Sequence, residues 1–496
     1  MLRKQRLEKL VDRARFQPLC IAHRGASGHK LENTLEAFSY AAKLNADMWE
    51  IDVRLTADGV CVVSHDDNLL HTAGINVDIS AINYQELQTY TLNNGETVPT
   101  FQVVLDLAIT TNCGLYIELK GEGAGIEILK ILASTDYDNI AIGSFVPEWV
   151  AELEHAKSPY PLSVLVRVGD DPFKLARKAK ADMIHLCWER ASDTPHKLLT
   201  EELLATAKQH SLPIIIWHEE RSTEIQKLMA MPVIGICSDL PELISGYHPD
   251  KRNPIELVLH RGANNVAPEN TLASTEIGYR MGASVIELDI NTSADNQLMV
   301  IHDTTADRTT NLVGPISQLT ANQLLQCDAS SWFDPSFSQQ NVCLFSDFLH
   351  IATQFDQSLY VELKEANIDQ VLAEVVSHNA LSRCFFWSFN NSYIKDIESR
   401  YPTAQLMKRR QDFTDLQSLI TDGAPTIIEY DYLIDDLSEF STCRDHGIKV
   451  MLRYPGHCLT TSEELIALYP DMVNIDHPFA FSNAYKEWLK KQESTL

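Results

Sequence analysis

One set of polar residues occurs twice in this chain of 496 residues, in the same order and at one constant offset. The first copy is His23-Arg24-Gly25, Glu32-Asn33-Thr34, Glu50-Ile51-Asp52 and His65-Asp66. The second is His260-Arg261-Gly262, Glu269-Asn270-Thr271, Glu287-Leu288-Asp289 and His302-Asp303, each member 237 residues after its counterpart. A repeat sets the domain count before any other signal, and a period this long means tandem domains, not a solenoid. Half the chain is close to the roughly 250 residues of a (β/α)8 barrel.

Each half alternates short apolar runs with longer helical patterns, which predicts βα units and a parallel sheet. In the first half PLCIAHRG, DMWEIDVRLT, VCVVSHD, CGLYIELKG, AIGSF, PLSVLVRV, DMIHLCW, LPIIIWH and VIGICSD read as strands. The second half repeats the series from ELVLHRG to DMVNIDHP. The expected fold is therefore α/β, two tandem TIM (β/α)8 barrels. Leu2, Leu7, Leu10 and Val11 suggest an amphipathic helix over residues 1–15, packed on the first barrel. The barrels are expected over 16–247 and 254–496, with a boundary in the Gly/Pro/charged stretch GYHPDKRNP. The second copy carries seven extra residues around SSWFDPSFSQQ, and loops are where barrels absorb insertions. The offset of 237 returns at Asp239-Leu240-Pro241 and Asp476-His477-Pro478.

A net charge of −27 argues against nucleic acid or an anionic membrane surface as the main partner, since either calls for a basic face. It leaves a small anionic substrate open, because that responds to a local field. No apolar run reaches the roughly 18 residues of a membrane span, and the charged N-terminus lacks the apolar centre of a signal peptide. The ten cysteines are scattered, with no C-x-x-C pair, and suit buried thiols in a reducing cytoplasm. A cytoplasmic location is expected; the oligomeric state stays open.

Glu50 and Asp52 are i and i+2 on a strand, so their side chains share a face. At the C-terminal end of a barrel strand that face opens into the mouth where barrel active sites lie. Glu118 ends LYIELK, with Lys120 again at i+2. Three carboxylates without a sulfur or imidazole ligand suit a hard cation, Mg2+ or Ca2+, one per barrel. Glu-x-Asp alone is a weak signal; its recurrence as Glu287, Asp289 and Glu362 makes it a strong one. Acids on an apolar strand must be paired, metal-bound or hydrated. Two histidines per half suit a general acid and a general base. Arg24 adds a cationic fork for phosphate oxygens and Lys120 a point charge.

These motifs resemble the glycerophosphodiester phosphodiesterase family, whose pattern is His-Arg-Gly, Pro-Glu-Asn-Thr, Glu-x-Asp, His-Asp and Glu-x-Lys on a TIM barrel. The resemblance covers nearly the whole chain, once per half. It implies that His23 and His65, and their counterparts His260 and His302, are acid/base pairs. It implies metal ligands at Glu50, Asp52 and Glu118, and at Glu287, Asp289 and Glu362. Arg24, Lys120, Arg261 and Lys364 would grip the phosphate. The implied reaction is hydrolysis of glycerophosphodiesters, such as glycerophosphocholine or glycerophosphoethanolamine, to sn-glycerol 3-phosphate and an alcohol. A glycerol hydroxyl would attack first, giving a cyclic phosphate that water opens. The first half departs from the pattern with Leu31 in place of proline, with His71 where the second half has Arg308, and in lacking the segment around Trp332. The family's late tryptophan matches Trp217 and, by the same offset, Tyr454, which would pack on the glycerol. The alternatives are a lysophospholipase D-type phosphodiesterase, or one catalytic barrel beside a phosphodiester-binding or regulatory one.

Overall fold

The computed structural model describes residues 2–188, 191–250, 253–337, 340–423 and 425–495. Lys251 and Arg252 of the expected boundary, and Ser338 and Gln339 of the insertion, lie outside the described residues. The chain splits into two compact units, Met1–Ser245 and Gly246–Leu496.

The strands of unit 1 are β1 (Leu19–His23), β2 (Met48–Leu55), β3 (Cys61–Val63), β4 (Gly114–Leu119), β5 (Ile140–Ser144), β6 (Leu162–Arg167), β7 (Met183–Cys187), β8 (Ile214–Trp217) and β9 (Gly235–Ser238). They run in the order β1-β9-β8-β7-β6-β5-β4-β2, and β1 pairs with β2 to close a parallel barrel of eight; β3 adds antiparallel to β2. Unit 2 repeats this with β10 (Glu256–Leu259), β11 (Val285–Thr292), β12 (Leu298–Val300), β13 (Ser358–Leu363), β14 (Cys384–Trp387), β15 (Gln405–Arg409), β16 (Ile427–Asp431), β17 (Lys449–Tyr454) and β18 (Met472–Ile475). The two-barrel reading of the sequence holds. Strands covered on both faces read as unbroken apolar runs, such as Ile214-Ile215-Ile216, because neither face meets water.

Helix packing fixes which face of β2 looks inward. Trp49 stacks on Phe38 of the helix Leu35–Lys43, with ring centroids 5.2 Å apart, so Glu50 and Asp52 face the interior. Below them the interior is apolar, with Ile21, Met48, Tyr116, Leu165 and Ile215 in one cluster. The helix Leu2–Arg13 covers the N-terminal ends of the strands. Leu10 and Ala14 join that cluster, and Arg3, Lys9 and Arg13 pair with Asp182, Asp138 and Asp47, which precede β7, β5 and β2. Leu2 lies on the other side of this helix and is exposed. With that end closed, the C-terminal mouth is left for chemistry. The extra segment of unit 2 packs over a satellite cluster of Met299, Ile316, Leu324 and Cys327, while Trp332 stays half-exposed.

Candidate active site

Strand register assembles the polar residues. His23 pairs with Glu50 across β1 and β2, and Asp52 with Glu118 across β2 and β4. In unit 2 Asp289 pairs with Glu362 across β11 and β13, and His260 follows the last residue of β10. The side-chain oxygens of Glu50, Asp52 and Glu118 lie within 4.8 Å of one another, as do those of Glu287, Asp289 and Glu362. All six side chains are buried. Glu50 Oε1, Glu118 Oε2 and Glu287 Oε1 have no hydrogen-bond partner, and Asp52 Oδ1 and Asp289 Oδ1 meet only a lysine ammonium at 3.3 Å. Burial and mutual repulsion push Glu50 and Glu287 well above the usual carboxylate range, and burial raises Glu118 to about 7. Burial also works against ionised Asp52, but Lys120 and Arg24 outweigh it and hold this carboxyl at about 2. Crowded carboxylate oxygens with so few donors fit a hard divalent cation.

The His-Arg-Gly and Glu-Asn-Thr motifs divide several positioning tasks. Arg24 and Arg261 adopt left-handed φ of 54° and 57°, which turns their N–H onto Glu50 Oε2 (3.1 Å) and Glu287 Oε2 (2.8 Å). Gly25 follows with φ 84°, and a Cβ there would lie 2.8 Å from the backbone of Ala37, so only glycine lets the helix approach. Glu32 accepts from Arg24 (2.9 Å) and Glu269 from Arg261 (3.0 Å). Asn33 and Asn270 each donate 2.8 Å to Asp52 and Asp289. Thr34 and Thr271 cap the following helices. Arg24 also approaches Asp52 (3.4 Å), and Lys120 reaches Glu118 (2.6 Å) and Asp52 (3.3 Å). Lys364 pairs with Glu362 and with Asp289 (3.3 Å).

The histidines are oriented by aspartates that no sequence argument singled out for that task. His23 Nδ1 lies 2.6 Å from Asp239, and His260 Nδ1 2.7 Å from Asp476. Those aspartates had shown only as markers of the returning offset, which was the available signal. Each imidazole keeps Nε2 for the mouth, 4.0 Å from Glu50 or Glu287. Burial, joined by the charge of Arg24 and opposed by Asp239, brings His23 down to about 4. His65 and His302 follow β3 and β12 and are held at Nδ1 by Asp66 (2.8 Å) and Asp303 (2.6 Å). In unit 2 Arg308 bridges Asp303 (2.6 Å) and Glu269 (2.7 Å), a link that His71 does not make in unit 1.

The late aromatic pair needs correcting. Trp217 faces the interior of unit 1, 5.0 Å from the His23 ring. Cys187 pairs with Trp217, and Asp431 pairs with Arg453, so the residue of unit 2 in the Trp217 position is Arg453. Tyr454 falls on the other face of β17, against Tyr432 and the N–H of Cys458. Counting 237 residues misses this because an odd shift along a strand exchanges its faces. The mouth of unit 2 holds a cavity of about 240 Å³, lined by His260, Arg261, Glu287, His302, Glu362 and Lys364 on one side. Trp387, Phe389, Arg409, Glu429, Asp431, Arg453 and Asn474 line the other. Sequence reasoning passed over this second group, because the two halves do not share it apart from Phe389, whose place is taken by Phe145 in unit 1.

The sequence pattern of the glycerophosphoryl diester phosphodiesterase family matches residues 23–243 and 260–424. The chain belongs to that family. Several of its relatives are named as glycerophosphodiester phosphodiesterases, and this protein is an enzyme. The Bacillus subtilis protein YhdW is 30% identical over 236 residues, which are 45% of this chain and 95% of that protein. Lysophospholipase D GDPD1 of Homo sapiens is 49% identical over 76 residues, 15% of this chain and 24% of that protein. A crystal structure of glycerophosphodiester phosphodiesterase from Agrobacterium tumefaciens is 31% identical, covering 46% of this chain and 99% of that one, with a TM-score of 0.44. Among the described residues no helix is long and apolar enough to cross a membrane.

Proposed function

We propose that each unit hydrolyses glycerophosphodiesters, small-molecule substrates such as glycerophosphocholine or glycerophosphoethanolamine, to sn-glycerol 3-phosphate and an alcohol. The observation that carries this reading is the same buried carboxylate triad in both units, each beside an Asp-held imidazole. Glu50, Asp52 and Glu118, and Glu287, Asp289 and Glu362, would each hold one Mg2+ or Ca2+. A bound cation there supplies Lewis-acid stabilisation of the phosphoryl oxygens. Arg24 with Lys120, and Arg261 with Lys364, add fixed positive charge for the same oxygens; a guanidinium has donors left beyond those its carboxylates use.

His23, lowered to about 4, is neutral near pH 7 and so can accept a proton at Nε2. That proton comes from the attacking glycerol hydroxyl as its oxygen bonds to phosphorus. The bond from phosphorus to the leaving alcohol breaks, and the second imidazole, His65 in unit 1 or His302 beside His260 in unit 2, gives a proton to that oxygen. Water then adds to the cyclic phosphate, giving up a proton to an imidazole while the ring P–O bond breaks and its oxygen is protonated, which yields sn-glycerol 3-phosphate. Trp217 and Arg453 stand where they can contact the substrate; Tyr454 does not line the cavity and is dropped from the proposed site. All of the ten cysteines but Cys343 and Cys458 are buried, which supports a reducing, cytoplasmic setting.

The test is release of sn-glycerol 3-phosphate from a panel of glycerophosphodiesters. Wild type is compared with His23→Ala, His260→Ala and the double variant. Partial activity in each single variant and none in the double one is expected. Full activity in the double variant sinks the proposal. Loss of everything in one single variant would leave the other barrel a binding or regulatory domain. Lysophosphatidylcholine belongs in the panel because of the short match to the human lysophospholipase D.

A further inference from the structure

The two mouths are alike where the catalytic motifs stand and unlike across the barrel. Strand register gives the comparison position by position. Leu165 pairs with His185 in unit 1, where unit 2 pairs Arg409 with Glu429. Cys187 pairs with Trp217, where unit 2 pairs Asp431 with Arg453. Ile21 pairs with Cys237, where Val258 pairs with Asn474. One far wall is thus mainly apolar and aromatic, with Arg167, opposite Cys187 and 4.4 Å from the Phe145 ring centre, as its guanidinium and no carboxylate or amide at these positions. The other carries two carboxylates, two guanidinium groups and an amide.

The polar wall is built, not incidental. Glu429 is buried and accepts from Asn474 Nδ2 at 2.9 Å, while Asn474 Oδ1 is buried without a partner. Arg453 pairs with Asp431 at 3.2 Å. The Arg409 guanidinium lies 4.5 Å from the ring centres of both Trp387 and Phe389 and is held by Asp412 at 2.8 Å. Buried polar groups are costly unless bonded, so a wall of this kind calls for a ligand with matching donors and acceptors.

Its chemistry selects among ligands. A quaternary ammonium would need the aromatic corner, but Arg409 already covers it with positive charge. An anionic group would meet Glu429 and Asp431. A neutral, hydroxyl-rich group fits, since each hydroxyl both donates and accepts. A glycerophosphodiester has glycerol on one side of phosphorus and a variable alcohol on the other. The constant half should meet what both units share, and the variable half what they do not.

Resting on the proposed hydrolysis, we infer that unit 2 is specific for glycerophosphodiesters whose alcohol is a polyol, recognised by Glu429, Asp431, Arg453 and Asn474, and that unit 1 lacks this specificity. The experiment uses the full chain with one unit silenced at a time, by Glu50→Gln or Glu287→Gln. Values of kcat/KM are measured for glycerophosphoinositol and glycerophosphocholine in each. The ratio of inositol to choline ester is expected to be about tenfold or more higher when unit 2 alone works, the order of one hydroxyl bonded to a charged group. Adding Glu429→Gln to the unit 2 enzyme should remove that preference by lowering the inositol ester's value selectively. Equal ratios in the two single-unit enzymes overturn the inference and leave the proposed hydrolysis standing. So does an equal loss on both esters in Glu429→Gln, which would mark a glycerol-binding or structural role. No hydrolysis of either ester by either enzyme refutes the proposed function itself.

Discussion

At the scale of single residues, the two units share their reacting groups but differ in how firmly they are held. In unit 2 an unbroken chain runs Arg261–Glu269–Arg308–Asp303–His302, with links of 2.6 to 3.0 Å. Arg308 joins two carboxylates across its planar fork, donating to both oxygens of Asp303 and of Glu269, where a lysine would offer single-point contacts. Arg308→Ala is expected to lower kcat of unit 2 by about tenfold or more, the usual effect of removing a group that orients a working side chain. Arg308→Lys should not restore it. The check is steady-state kinetics with unit 1 silenced by Glu50→Gln; unchanged kcat would show that His302 needs no such support. A direct ligand should matter more. Glu287→Gln is expected to cost unit 2 on the order of 10²-fold through lost charge stabilisation. Near-normal turnover with unit 1 disabled would remove Glu287 from the ligand set. The reacting residues were legible because chemistry repeats them in the sequence. Asn33, Asn270, Asp239 and Asp476 were visible as repeated letters, yet their hydrogen-bonding tasks emerge only when distant strands meet.

At the scale of elements, the apolar runs located all the strands, since a barrel strand is buried on both faces. The offset count, not the apolar run, failed at β17, where it placed Tyr454 and the register places Arg453. Glycine positions mark where elements touch. Gly25→Ala is expected to destabilise unit 1 by about 2 kcal/mol or more, because a left-handed φ disfavours a side chain and the new Cβ meets backbone that cannot yield. Urea unfolding compared with wild type checks this, and an unchanged midpoint would refute the close helix approach. The interior of β7 offers a pH test. His185 is fully buried, neither ring nitrogen has a partner, and burial, with His23 adding to it, lowers its pKa to about 3. Its unfolded pKa is about 6.5, so between those values the unfolded state binds the extra proton and stability falls as pH drops. His185→Leu should remove about 2 kcal/mol of the loss in unit 1 stability between pH 7.5 and pH 5. Parallel pH profiles for wild type and variant would mean that His185 titrates normally in the fold.

At the scale of the whole molecule, duplication gives one chain two carboxylate triads whose unpartnered oxygens repel one another without a cation. Binding to the folded state alone stabilises it by about RT ln(1 + [L]/Kd), roughly 2.7 kcal/mol at a hundredfold excess over Kd. Because each triad lies within one compact unit, each unit should gain this separately. Mg2+ or Ca2+ is therefore expected to raise the thermal stability of both units in wild type, and EDTA to reverse the shift and abolish hydrolysis. In Glu50→Gln the shift should persist for unit 2 and shrink for unit 1, and in Glu287→Gln the reverse. Calorimetry with and without cation, beside product assays on the same samples, makes the comparison. A shift that vanishes from both units on losing one triad would mean that the sites do not bind independently. Full activity in chelator would remove the cation from the reaction, and the crowded carboxylates would then need another explanation.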